Sequence, residues 1–233
     1  MSKLKELIDR LCPDGVEYKS LGEIGTFTRG NGLQKKDFTD SGVGCIHYGQ
    51  IYTYYGTYAT ETKSFVSENL ANKLRKASFG DLVIATTSEN VEDVCKAVAW
   101  LGDNNIAVSS DAFIYHHSLN PKFVAYFFQT DYFQMQKKPF ISGTKVMRIS
   151  GENLAKILIP VPPIEVQEEI VKILDRFADY AAELQAELQA ELQARKEQYE
   201  YYRNLLLTFN PSAYGFGTDG KQEIKDVTTW GGA

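Results

Sequence analysis

Residues 183–194 read Glu-Leu-Gln-Ala three times in succession. All four residue types favour or tolerate helix, and each copy adds about 6 Å of rise and about 40° of rotation to an α-helix. A repeat of this kind sets a length; it does not build a catalytic pocket. It lies inside a longer helical pattern that opens after Pro162-Pro163 and stops near Phe209-Asn210-Pro211. Residues 164–209 are therefore predicted to form one helix of roughly 69 Å. Its apolar positions include Phe177, Leu184, Leu188, Leu192, Tyr199, Tyr202 and Leu206. Leucines four apart make the stripe drift around the helix instead of holding a strict heptad. Such a stripe calls for a partner helix, and these seven residues are predicted to form a dimer contact. The other reading, packing against the chain's own domain, fits poorly with a helix this long.

The charge divides along the same boundary. Residues 1–163 carry 18 Lys+Arg against 17 Asp+Glu, and residues 164–233 carry 7 against 13. The overall net charge of −5 thus belongs to the helix and tail. The part before them is near neutral with local basic clusters, so acidity does not exclude a polyanionic partner. Cys12, Cys45 and Cys95 are scattered, form no CxxC and have no histidine at ligand spacing. This predicts reduced thiols, no metal and a cytoplasmic location. No stretch reaches the ~18 uncharged apolar residues of a membrane span, and charges interleave with the leucines of MSKLKELIDRL, which reads as a short helix and not a signal peptide.

Residues 1–163 alternate strand and helix signals, predicting an α/β domain with a mixed sheet. A helix is expected over 2–11 and a strand with a turn over 16–27. Ile46–Tyr58 is rich in β-branched and aromatic residues and reads as strand. Ser67–Lys76 reads as helix. Leu82–Ala85, Ala97–Leu101 and Ala112–His116 read as strands, Phe123–Met135 as one helix, and Ile157–Pro160 as the stretch that closes the domain.

Nucleotide and hydrolase signatures are missing: no phosphate-binding P-loop, no G-x-G-x-x-G and no G-x-S-x-G. Asp14, Glu17 and Lys19, or Glu61 and Lys63, sketch a Mg²⁺-nuclease pattern with spacing that is too tight or placed in turns. His47, His116 and His117 lack a nucleophile beside them and read as structural or surface histidines. What remains is four segments mixing basic, amide, hydroxyl and aromatic groups: 29–36, 47–55, 86–90 and 137–148. Side chains of these kinds hold phosphates and read base edges. Each segment taken singly also fits a merely solvated surface; as a DNA interface the candidate contacts are Arg29, Gln34, Lys35, Lys36, Tyr52, Tyr54, Thr87, Ser88, Lys137, Lys138, Thr144, Lys145 and Arg148.

Several stretches carry a family likeness. Val16–Ile24 and Gly80–Ile84 are two of them. The most specific runs through Ser142-Gly143-Thr144, Ile149-Ser150, Leu154, Ile157–Pro163, Gln167, Ile170-Val171 and Leu174-Asp175. With the repeat and Arg195–Tyr199 after it, the chain resembles the specificity subunits of Type I restriction-modification enzymes over residues 16 to about 209. The resemblance implies a non-catalytic subunit that reads one half of a split site in double-stranded DNA. It implies partners: methyltransferase subunits that use S-adenosylmethionine, and a motor-nuclease restriction subunit. It implies no cofactor on this chain. The domains expected are a target-recognition domain (1–163), a spacer and dimerisation helix (164–209) and a tail (210–233). Family members hold two recognition domains on paired antiparallel helices. One domain and one helix here imply a fragment or a half-subunit that forms a homodimer. Two other readings stay open: a coiled-coil protein adaptor without DNA contact, and a Mg²⁺-dependent nuclease.

Overall fold

The computed structural model describes residues 3–208, which fall into two compact units parting between Leu174 and Asp175. The first opens with α1 (Lys3–Leu11), β1 (Tyr18–Ser20), α2 (Leu21–Ile24), β2 (Gly25–Arg29), β3 (Val43–Ile46) and α3 (Tyr48–Thr53). It continues with β4 (Tyr58–Ala59), β5 (Ser64–Val66), α4 (Glu68–Ala71), β6 (Lys76–Ala77), β7 (Leu82–Ala85), β8 (Thr87–Ser88), β9 (Ala97–Trp100), β10 (Ile106–Val108) and β11 (Ala112–His117). Then come α5 (Pro121–Phe127), α6 (Asp131–Lys137), β12 (Met147–Arg148), α7 (Gly151–Leu154), β13 (Leu158–Pro160) and α8 (Ile164–Thr208).

The α/β class with a mixed sheet and a long C-terminal helix is as the sequence indicated. The largest sheet has the order β2-β11-β7-β9-β4, with β4 parallel to β9 and every other pair antiparallel. A second sheet runs β5-β3-β10-β6, with β3 parallel to β10. Alternation along β7 sends Leu82 and Ile84 to one face and Val83 and Ala85 to the other. The first face packs on α5 and α6 through Phe123, Val124, Phe127 and Phe133. The second packs on Ile46, Ile106 and Val108 of the four-stranded sheet and Ile51 of α3. Both faces are covered, so β7 and β9 are buried throughout, and this is why their sequences are unbroken apolar runs.

The stretch carrying the family likeness is the seam that closes this unit. β13 pairs antiparallel with β1. Leu154, Ile157 and Ile159 are fully buried, and Ser150 caps α7 by accepting from the Asn153 amide at 3.2 Å. Gln167 donates to the Pro162 carbonyl at 2.8 Å and accepts from the Asn120 amide at 2.9 Å. Those residue types are fixed by docking the chain where it enters α8.

Three expectations need correction. Ile46–Tyr58 is not a strand: β3 ends at Ile46 and α3 follows. The His47 main-chain amide bonds the Gln50 side chain, and the Tyr48 amide bonds the Ser109 hydroxyl at 2.8 Å. These satisfy donors at the helix start and override β-propensity. Ser67–Lys76 is helical only over Glu68–Ala71, and Lys76 begins β6. Phe123–Met135 is two helices, because Thr130 caps a new one by accepting from the Phe133 amide at 3.2 Å.

In the second unit α8 continues to Thr208; at 45 residues the whole helix is about 67 Å long. The side chains of Phe177, Leu184, Leu188, Leu192, Tyr199, Tyr202 and Leu206 are all exposed. The helix stop at Asn210-Pro211 and the tail 210–233 lie outside the described residues, as does residue 2 of the first helix.

Candidate nucleic-acid interface

Strands β2 and β7 both run antiparallel to β11, hence parallel to each other, and they end together beside its start. Segments 29–36 and 86–90 leave the sheet at this end, and the other two segments singled out in the sequence are bonded to them or to Ser109 just before β11. Gly30 follows β2, and its amide donates to the Ala112 carbonyl at 2.9 Å. A Cβ at Gly30 would lie 2.2 Å from the Ser109 carbonyl oxygen, so only glycine permits this approach. Thr86 follows β7 and donates through both amide and hydroxyl to the Asp111 carbonyl, each at 3.0 Å. The hairpin 142–148 joins them: Ser142 and Arg148 exchange main-chain bonds, and β12 pairs β8 with Arg148 opposite Thr87. Gly143 makes the turn at φ +101°. Segments read separately as loops are thus one connected surface.

The exposed charges on it are mostly cationic, with Glu89 the acidic exception within the four segments. Arg29 donates to the Ser110 carbonyl at 2.7 Å and lies 3.5 Å from Asp111, with its side chain still more than half exposed. Gln34, Lys35 and Lys36 are exposed on a short turn whose entry amide at Gln34 donates to Asp37 at 2.8 Å. Lys138, Thr144, Lys145 and Arg148 are exposed, and Ser88 is half-buried. Tyr54 is exposed with the Lys63 ammonium 4.5 Å from its ring centre. Beside Lys35, His47 accepts from the Gly49 amide through Nδ1 at 3.2 Å. Burial, and then the Lys35 charge, hold its imidazole below the usual histidine range. A neutral ring keeps the lone pair this cap needs, with the proton on Nε2.

Besides half-buried Ser88, three of the nominated residues do not belong to the exposed set. Lys137 is 1% exposed, and its ammonium donates inward to the carbonyls of Glu92 at 2.8 Å and Val94 at 2.6 Å. Thr87 is buried. Its carbonyl accepts the Tyr52 hydroxyl at 2.8 Å, and Tyr52 is half-buried with its phenol pushed to a higher pKa by desolvation. These three hold the surface in shape instead of presenting themselves to a ligand.

Two exposed cations escape the sequence reading. The Arg75 guanidinium donates to the Arg29 carbonyl at 2.6 Å, and its amide donates to the Asn31 side chain at 2.7 Å. Asn31 in turn donates to the Lys73 carbonyl at 3.0 Å. Lys73 and Arg75 therefore sit beside Arg29 and Asn31 although they are more than forty residues away from them in sequence. Their only sequence signal is a pair of cations flanking a buried leucine, Leu74.

Among the described residues no group of three His, Cys, Asp or Glu side chains is placed to hold a metal ion, and no helix is long and apolar enough to cross a membrane.

Residues 13–194 match the family model described as the Type I restriction modification DNA specificity domain. The putative type I restriction enzyme specificity subunit S.HindORF215P of Haemophilus influenzae is 36% identical over 204 residues, covering 82% of this chain and 47% of that protein. The EcoR124I/EcoR124II specificity subunit of Escherichia coli is 27% identical over 199 residues, covering 83% of this chain and 48% of that one. The chain spans about half the length of these relatives. A solved structure from a study of complex assembly in the type I restriction-modification system shares the fold at a TM-score of 0.55 and 20% identity, covering 81% of this chain and 44% of that one.

Proposed function

The chain belongs to the Type I restriction-modification DNA specificity family, and on that premise we propose that its first unit reads one half of a split site in double-stranded DNA. The observation that carries this is the convergence of segments 29–36, 86–90 and 142–148, with Lys73 and Arg75, at one end of one sheet. Exposed arginines and lysines there suit phosphates, and amides and hydroxyls between them suit base edges. Sequence specificity is its work, and catalysis belongs to its partners. Those partners are methyltransferase subunits, which supply S-adenosylmethionine chemistry, and a motor-nuclease subunit, assembled in the cytoplasm.

A second copy of the chain completes the unit. The exposed stripe from Phe177 to Leu206 on α8 supports an isologous pairing of two helices. In an antiparallel pair the two recognition units face opposite ways and read an inverted repeat with a gap.

The test is affinity for duplex DNA at two fixed salt concentrations, with and without the methyltransferase subunits. Recognition predicts binding that weakens steeply with salt and a duplex that outcompetes scrambled sequence. A chain that assembles with partners yet gives them no DNA preference is an adaptor, and the reading fails.

A further inference from the structure

We propose that Lys137 is a positioning residue for DNA reading, its buried ammonium locking segment 86–95 and hairpin 142–148 into one unit. The inference rests on the reading that these segments face DNA. Lys137 closes α6 and is among the largest fully buried side chains. Its neighbour Lys138 is exposed, so the pair divides into one inward and one outward cation. A buried ammonium is costly unless paired. Here its partners are the main-chain carbonyls of Glu92 and Val94, which stay the same whatever side chains the segment carries.

The segment is held at three further points. At its neck the Cys95 amide donates to the Ala85 carbonyl at 2.9 Å, and Cys95 takes φ 72°, a left-handed turn directly after the anchored Val94. At its tip Asn90 and Asp93 exchange hydrogen bonds of 2.7 and 2.8 Å. In front, Thr87 and Ser88 pair with Arg148 and Met147. Lys137 adds the attachment behind. Residues 138–141 then lead from it straight into the hairpin at Ser142. The two segments are therefore joined in front by a strand ladder and behind by one side chain. Cutting the rear attachment leaves every exposed cation in place and frees only their relative geometry.

The experiment uses the full chain with its methyltransferase subunits. Lys137→Met and the unaltered chain are each titrated with a duplex carrying the target site, found by methylation sequencing, and with the same duplex scrambled at one half-site. The expected result is a fall in the specific-to-scrambled affinity ratio of about tenfold, the scale of one mismatched base pair. The salt dependence on scrambled DNA stays unchanged, because no phosphate contact is lost. A structural role alone lowers melting temperature and leaves the ratio intact in the folded fraction, and that outcome overturns the inference. If Lys137→Met does not fold at 25 °C, Lys137→Gln, a polar but uncharged side chain at the same position, takes its place, with the same expected and the same overturning result. An unaltered chain without discrimination fails differently: it removes the DNA reading itself, and the inference with it.

Discussion

The Tyr52 hydroxyl donates to the Thr87 carbonyl at 2.8 Å, tying α3 to the short strand that carries Arg148 on its other side. Two residues whose types suit DNA contact thus bond each other. Tyr52→Phe should cost about 1 kcal/mol, the usual value of one such bond with its carbonyl left unpaired. Melting should fall by about 2–4 °C for a unit of this size. The recognised DNA word should not change. A variant with normal melting but an altered word would show that the phenol reads DNA directly.

Lys35 and Lys145 are solvated, so their removal should leave stability within about 0.5 kcal/mol. Lys35→Ala and Lys145→Ala should each weaken duplex binding. Loss of one phosphate contact lowers the salt slope by about one, equally for all sequences. Loss of a base contact instead removes about 1–3 kcal/mol of discrimination at one position. Binding isotherms at several salt concentrations separate the two, and unchanged isotherms for both variants take these residues out of the interface.

His117 should make the fold acid-sensitive. Burial, the largest influence, pulls its pKa down to about 4, outweighing the opposing charge of Asp81. The folded state therefore holds the neutral ring, while the unfolded chain takes up a proton near pH 6.5. Stability is full above about pH 6.5 and is lost as pH falls through about 4, by about 3 kcal/mol in all. Burial lowers the His47 pKa as well, which adds to the same trend. His117→Phe keeps a ring beside Tyr115 and should flatten the decline. Urea unfolding at pH 7 and pH 4.5 measures this; an equal acid-side loss in the variant would assign it to other groups.

Removing one Glu-Leu-Gln-Ala copy should change a distance and nothing else. It shortens α8 by about 6 Å and rotates the remainder of the helix by about 40°. The exposed leucines run 184, 188, 192, so a leucine every four residues survives the deletion. With DNA advancing about 3.4 Å per base pair, the gap between half-sites should contract by about one to two base pairs. Methylation sequencing would show unchanged half-site words with a shorter gap. An unchanged gap removes the repeat from the role of spacer.

Local pattern carried much of this architecture. The apolar runs of β7 and β9 and the helix α8 are readable because their burial or exposure is continuous along the chain. What escaped is decided by distant contacts. HYGQIYTYY reads as strand by composition, yet Ser109, 61 residues away, takes up the Tyr48 amide where the helix begins. Lys137 and Lys138 are identical in sequence, and only the packing of α6 sends one inward. Arg75 joins the surface because Asn31 and Arg29, 44 and 46 residues earlier, bond it there. The candidate DNA contacts were therefore legible as segments, while their sorting into exposed groups and supports was not.

The central claim is that this surface selects the DNA site. Its most direct test is methylation sequencing of cells expressing the chain with the proposed methyltransferase subunits, beside cells carrying the Arg29→Ala/Arg75→Ala/Lys145→Ala form. The account predicts a modified, gapped inverted repeat with the unaltered chain, and its loss or relaxation with the triple variant while the subunits still assemble. The same repeat modified to the same extent by both would contradict it.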